Sequence, residues 1–233
     1  KPNWQNNGIS RRGVHKEFIG FCRDIILRDI LHITPDDNAI DNSAFCKEGD
    51  ARKLIKELQD QSIDLLITSP PYLNSRDYTD IYRLELWILG YLATYKDERE
   101  LRKSTLRSHV QIAWHKEETL KIKKLVKVLK EIEKHREKFW NSSILEMIKG
   151  YFVDMNIILE NLYKKMKSNS KIYVNVGNSS YFNSIIETDA IIAEIAEMSQ
   201  FQVDEIRVAR YLKSSGQQDS KRIRESIIVL TKT

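Results

Sequence analysis

A chain of 233 residues with 41% hydrophobic side chains can bury one sizeable core, and its 30% charged residues imply a well-solvated surface. A formal charge of +5 and a sequence pI near 9.0 are compatible with a polyanionic partner without demanding one. The composition argues against a membrane or secreted protein: no apolar run approaches the roughly 18 residues of a membrane helix, and no signal peptide is recognisable.

Residues 1–13 are polar and aperiodic and read as an arm. From Val14 to Leu31 the apolar positions Val14, Phe18, Phe21, Cys22, Ile25 and Ile26 predict an amphipathic helix that ends before Thr34-Pro35. Ala44-Phe45-Cys46 reads as a short strand, Gly49-Asp50 as a turn, and Ala51 to Leu58 as a helix. A short buried strand is expected at Asp64 to Thr68, and a strongly buried helix at Tyr82 to Tyr95.

Residues 96–140 change character. Charges of both signs surround a thin apolar stripe of Ile122, Val126, Leu129 and Ile132. This reads either as a solvated helical hairpin inserted in the fold or as a target-recognition or partner-binding insertion, with Trp114, His115 and Trp140 near its ends. Ser143 and Glu146 have capping-box spacing before a helix running to about Lys167. Strands follow at Lys171 to Gly177, Phe201 to Leu212 and Glu225 to Thr231, with a helix over Ala190 to Met198 capped by Thr188 or Asp189. The expected domains are an arm and helix at 1–43, a catalytic domain at 44–95 and 141–233, and the charged insertion at 96–140. The order of elements predicts an α/β sheet that starts doubly wound and ends in an antiparallel hairpin.

One stretch concentrates the chemistry. After the apolar strand, Thr68-Ser69-Pro70-Pro71-Tyr72 ends ladder pairing, because two prolines lack the N–H and lock the backbone. Such a rigid turn at the carboxyl end of a strand is where open α/β sheets hold ligands. It offers a hydroxyl, a carbonyl and an aromatic ring, the parts needed to hold a flat base and accept hydrogen bonds from an amine. Cys22 and Cys46 show no metal or redox spacing and read as reduced thiols of a cytoplasmic protein. The histidines form no metal spacing either, and no metal site is expected.

Thr68-Ser-Pro-Pro-Tyr72 after Asp64-Leu-Leu-Ile67 resembles the catalytic motif of the amino-group DNA methyltransferases, which use S-adenosylmethionine. Gly49-Asp-Ala-Arg52, Val174-Asn-Val-Gly-Asn-Ser179 and Arg224-Glu-Ser-Ile-Ile-Val-Leu230 resemble further landmarks of that family in the same order. The resemblance implies a partial Rossmann-like methyltransferase sheet with a terminal antiparallel hairpin. It implies that the Ser69 hydroxyl and Pro70 carbonyl accept from the exocyclic amine, that Pro71 stiffens the turn, and that Tyr72 stacks on a flipped base. Ser69 in the first motif position resembles enzymes that methylate cytosine N4 rather than adenine N6.

The same resemblance places cofactor contacts at Gly49, Asp50, Ser69, Gly177 and Asn178, of which Gly177-Asn178 also reads as plain turn chemistry. Asn74, Arg76 and Tyr78 read as base-pocket or phosphate contacts, or as a solvated loop. Lys213, Lys221, Arg222 and Arg224 read as a phosphate grip, or as an ordinary hairpin loop. The family's glycine-rich cofactor turn is absent, since no two of the eight glycines are close. Three accounts follow: a carboxyl-terminal piece of a longer enzyme, one subunit of a split enzyme, or a degenerate DNA-binding relative. The competing functions are methylation of RNA or of a protein glutamine, and a non-catalytic DNA-binding or specificity module.

Overall fold

The computed structural model describes residues 11–32, 45–73, 77–213 and 222–233. In chain order the elements are α1 (Arg11–His32), α2 (Ala51–Glu57), β1 (Ile63–Thr68), α3 (Tyr78–Ile81), α4 (Arg83–Leu89), α5 (Tyr95–Ser104) and α6 (Lys123–Glu133). A 3-10 turn at Arg136–Lys138 leads to α7 (Ile144–Lys165), β2 (Met166–Gly177), β3 (Ser179–Tyr181) and β4 (Ser184–Ile186). The chain ends with α8 (Thr188–Met198), β5 (Phe201–Lys213) and β6 (Arg222–Lys232). Two compact units emerge, residues 1–48 with 78–102, and residues 49–77 with 103–233. They do not follow the three expected divisions, because 103–140 joins the larger unit.

In the smaller unit, the buried helix expected over Tyr82 to Tyr95 is reduced to α4, which spans only Arg83–Leu89 and buries no residue. Gly90 closes α4 in a left-handed conformation at φ 92°, which glycine reaches without the steric cost a Cβ brings. Leu84 and Leu89 stay 51% and 42% exposed, so apolar spacing alone did not produce a buried face. The order in this unit comes from buried Arg102, which donates to Thr79 Oγ1 at 3.0 Å, Glu98 at 3.0 Å and Asp80 at 2.8 Å.

The larger unit is built on a four-stranded sheet in the order β1-β2-β6-β5. β1 and β2 run parallel, while β2–β6 and β6–β5 are antiparallel, so the expected terminal hairpin is present. One face carries Ile172, Val174, Val176, Ile228 and Leu230 into a core shared with α7 and α8. β1 is an edge strand rather than a buried one, with Leu65 and Ile67 exposed by 53% and 73%. Its apolar composition therefore did not translate into burial among the described residues. The strand expected at Ala44 to Cys46 is not formed over its described part: residues 45–48 are irregular and Phe45 is 80% exposed.

Residues 103–140 are not a solvated hairpin. Val110, Ile122, Leu125, Leu129 and Ile132 enter the same core as α7. The capping box expected at Ser143 is also absent: the Ser143 hydroxyl caps nothing, and Asn141 Oδ1 accepts the Ser143 N–H at 2.8 Å instead. Glu146 turns away to accept from the Glu117 N–H and from Lys149. The hairpin β3–β4 was not anticipated. Its turn places Phe182 and Asn183 at φ 48° and 60°, and Phe at such a position carries no turn signature in the sequence.

Candidate active site

β1 delivers Ser69-Pro-Pro-Tyr72 to the end of the sheet where β2 also finishes, at Gly177. Neither proline has an N–H, so the carbonyls of this turn meet no local donor in the ladder. Tyr72 is fixed from three sides. Its hydroxyl donates to Glu225 Oε1, and Asn175 Nδ2 donates to the phenol at 3.1 Å. Its ring lies against Gly177, where an added Cβ would sit 3.0 Å from Cδ2 and 3.1 Å from Cε2. Glycine at 177 is thus explained by close approach of the ring rather than by backbone conformation.

Glu225 is 4% exposed and also receives Arg210 Nε and, at 3.3 Å, Asn175 Nδ2. Arg210 first, and then Tyr72 and Asn175, hold its carboxyl below the usual glutamate range despite burial. The Tyr72 phenol moves the other way: burial raises it and the neighbouring carboxylate adds to this, against an opposing hydrogen bond with Ser69. Ser69 itself is exposed at the rim. The next residue, Leu73, is fully buried, and its carbonyl accepts from Ser179 Oγ at the start of β3. The corner is therefore tied to β2, β6 and the β3–β4 hairpin at once. Glu225, Asn175 and Arg210 were not singled out from the sequence, because their roles depend on cross-strand register between β2, β6 and β5.

Beside this corner, Asp189 is fully buried at the start of α8. It accepts from Arg224 Nε at 2.7 Å, Ser226 Oγ at 2.7 Å and the Ala190 N–H at 2.8 Å. Burial raises its carboxyl, but Arg224 and Ser226 outweigh that and hold it below the usual range. Asn178 links the pieces, with its Oδ1 accepting the Asp189 N–H and its own N–H donating to the Arg224 carbonyl.

Gly49 and Asp50 stand at the start of α2. Asp50 is the N-cap, and its Oδ1 accepts from the Arg52 N–H at 3.0 Å and from Arg52 Nε at 2.9 Å, while Oδ2 accepts Arg52 Nη2 at 2.8 Å. A carboxylate has about four acceptor positions, so one direction on Oδ2 is unused among the described residues. Burial raises the Asp50 carboxyl, and Arg52 more than reverses it. Arg52 continues to Asp154 on α7 at 3.0 Å, which also binds Arg107 Nη2 at 2.7 Å and the Arg107 N–H at 3.0 Å.

Of the anticipated nucleic-acid contacts, Asn74, Arg76 and Lys221 lie outside the described residues. Tyr78 opens α3 in the smaller unit and stacks on Tyr82 with ring centroids 6.3 Å apart. Lys213 ends β5, and Arg222 opens β6 with its guanidinium 4.2 Å from the Tyr211 ring centroid. No cluster of His, Cys, Asp or Glu among the described residues is arranged to hold a metal ion. No helix among them is long and apolar enough to cross a membrane.

The larger unit thus presents a parallel strand pair closed by an antiparallel hairpin, with a Ser-Pro-Pro-Tyr turn at the carboxyl ends of the parallel strands. No family model matches the chain. It is 28% identical over 240 residues to the type II methyltransferase M.AvaI of a Nostoc species, covering 92% of this chain and 49% of that protein. To the type II methyltransferase M.BsoBI of Geobacillus stearothermophilus it is 29% identical over 226 residues, covering 84% and 44%. The chain thus spans about half the length of the curated relatives it matches. Among solved structures, a Thermus thermophilus protein assigned as a DNA modification methylase aligns over 79% of this chain and 52% of its own, at 12% identity and a TM-score of 0.42. The same protein in complex with S-adenosyl-L-methionine gives 13% identity and a TM-score of 0.40. The chain is accordingly similar to type II DNA methyltransferases, and the resemblance to the amino-group DNA methyltransferases is borne out.

Proposed function

We propose that this chain holds the target base for methyl transfer from S-adenosylmethionine to the exocyclic amine of DNA, with cytosine N4 as the favoured acceptor. The observation that carries the reading is the Ser69–Tyr72 corner, with Tyr72 locked over Gly177 by Glu225 and Asn175. An exocyclic amine is a weak nucleophile because its lone pair is delocalised into the ring. The Ser69 hydroxyl and Pro70 carbonyl accept hydrogen bonds from its two N–H groups and favour the pyramidal nitrogen. The prolines hold that carbonyl in place, so little reorganisation accompanies charge development. Tyr72 offers its ring to the flipped base, and its fixed hydroxyl limits rotation of that platform.

S-adenosylmethionine supplies an electrophilic methyl on a sulfonium centre. The residues present fit only part of such a cosubstrate: Ser69 and Gly177 border the corner, Asn178 adjoins it, and Asp50 keeps one acceptor direction. No glycine-rich turn is present to receive the rest, and in this proposal a segment outside these 233 residues brings it, on the same chain or on a partner. Among the described residues β1 forms the edge of the sheet, with Leu65 and Ile67 exposed, which supports a further strand pairing there.

The test is labelled methyl transfer to duplex DNA by this chain together with a polypeptide carrying a glycine-rich turn, followed by digestion of the product. N4-methylcytosine is expected, and Ser69→Ala is expected to slow transfer by about 10²–10³-fold, the scale of losing one transition-state hydrogen bond. N6-methyladenine as product corrects the acceptor. Transfer to tRNA or protein in place of DNA, or full activity in the Ser69→Ala variant, overturns the reading.

A further inference from the structure

One segment of this chain is densely basic. Residues 119–130 contain Lys121, Lys123, Lys124, Lys127 and Lys130 and no acidic residue. The five charges of this segment equal the formal net charge of the chain, +5. On α6, Leu125, Leu129 and Ile132 are buried in the core. Lys123, Lys127 and Lys130 occupy positions i, i+4 and i+7 on the exposed side, about 10 Å from end to end at a rise of about 1.5 Å per residue.

Lys124 is the exception, with its ammonium 3.9 Å from Glu187 and 3.7 Å from Glu194. Lys121, Lys123, Lys127 and Lys130 make no ion pair with any carboxylate among the described residues. With Val126 they line one shallow groove. This placement works against the helix. Lysines in the first turn oppose the helix dipole, and like charges four residues apart repel. Local stability does not account for the stripe, whereas a polyanionic partner does.

The stripe is firmly connected to the catalytic corner. α6 packs on β4, and beyond its end His135 and Phe139 stack on Phe182 at the hairpin turn, with ring centroids 5.9 and 5.0 Å away. The hairpin begins at Ser179, whose hydroxyl is bonded to the carbonyl of Leu73, the residue after Tyr72. We propose that Lys121, Lys123, Lys127 and Lys130 grip the phosphate backbone of the duplex whose base enters the Ser69–Tyr72 corner. The assignment rests on the DNA-methylation reading. Duplex DNA presents one charge per about 1.7 Å of axis, so a stripe of about 10 Å meets several phosphates.

The test measures binding of this chain to duplex DNA by fluorescence anisotropy from about 50 to 200 mM salt, the range over which phosphate-mediated affinity falls steeply. The K121Q/K123Q/K127Q/K130Q variant is expected to bind at least tenfold more weakly at low salt. Its slope of log K against log salt is expected to fall by about 0.9 for each phosphate no longer neutralised. Removing exposed charges elsewhere, in K53Q/K56Q/K164Q, should leave both quantities near the wild-type values, and unchanged melting temperatures should accompany both variants. If the quadruple variant keeps the wild-type affinity and slope, the stripe assignment fails while the methylation reading stands. If methyl transfer fails but stripe-dependent DNA binding persists, the catalytic reading falls and the stripe stands. Tighter stripe-dependent binding to duplex RNA or to anionic vesicles than to DNA overturns the assignment, as does absence of DNA binding by the folded chain at about 50 mM salt.

Discussion

Asp154 offers the clearest single test of what holds the larger unit together. Its carboxylate is fully buried on α7 and accepts from Arg52 at 3.0 Å, from Arg107 Nη2 at 2.7 Å and from the Arg107 N–H at 3.0 Å. Replacement by alanine leaves two guanidinium groups and one backbone N–H short of a partner. Breaking a buried pair costs about 3–5 kcal/mol when the remaining charge is abandoned. Here each arginine keeps a second carboxylate, Asp50 for Arg52 and Glu117 for Arg107. That places the expected loss near the lower end, about 3 kcal/mol for Asp154→Ala and about 2 for Asp154→Asn, which keeps one acceptor oxygen. For a chain of this length about 2–4 °C is lost per kcal/mol, so Asp154→Ala should melt about 6–12 °C lower by circular dichroism. Urea unfolding should show a lower midpoint with an unchanged slope. A melting temperature within about 2 °C of wild type would contradict a buried, energetically coupled carboxylate. The network would then be a set of interchangeable surface pairs, worth little each.

Three further substitutions probe the site and its scaffold. Gly177→Ala puts a Cβ 3.0 Å from the Tyr72 ring, so the ring must shift by a few tenths of an ångström. Methyl transfer should fall about tenfold, less than the 10²-fold that a full 1 Å misplacement costs, and equal activity in a single-turnover assay removes the positioning role. Glu225 has its carboxyl held below the ordinary 4.5 by Arg210 first and then by Tyr72 and Asn175. Its stabilising contribution is therefore complete above that pH and lost as pH falls through the lower folded value. Melting curves of wild type and Glu225→Gln should diverge at neutral pH and converge in acid; parallel curves across the range refute the linkage. Ile132, fully buried on α6, should lose about 2–5 kcal/mol on replacement by alanine. A neutral result in thermal melts would return α6 to the status of a solvated appendage.

Elements with a complete local signature were legible in the sequence. The helix over α7 carried a continuous apolar face, and β2, β5 and β6 alternated well enough to be read as strands within a few residues of their observed ends. The turn at Ser69-Pro-Pro-Tyr72 was legible because proline acts locally, through a missing N–H and a fixed φ. What failed depended on partners. The burial expected for α4 required neighbours that its apolar spacing cannot specify, and Gly90 ended the pattern early. The core role of Ile122, Leu129 and Ile132 was hidden under the surrounding charge, although their spacing was visible, and Leu125 is buried on α6 where the expected Val126 is not. Glu225 and Asn175 became site residues only through register, since Asn175 pairs with Ile227 and Glu225 with Gly177 and Arg210 across three strands. A one-residue slip between β2 and β6 would put Asn175 and Glu225 on opposite faces of the sheet.

β1 shows why the corner and its surroundings must be read together. Leu65 and Ile67 are apolar, lie on the strand that leads into Ser69, and stand half or more exposed on an edge with no pairing strand among the described residues. Such an edge is an aggregation hazard that proteins normally blunt with charge, proline or a covering element. The prolines here come after the strand, so they end the ladder without protecting it. Burying two such side chains is worth about 1.5–3 kcal/mol each, enough to favour a pairing strand once its ordering cost is met. Under the proposed function that same pairing would bring a glycine-rich turn beside the carboxyl end of β1, next to Ser69. One apolar edge would thus stabilise the assembly of the sheet and also set the distance between the base-holding corner and the methyl donor.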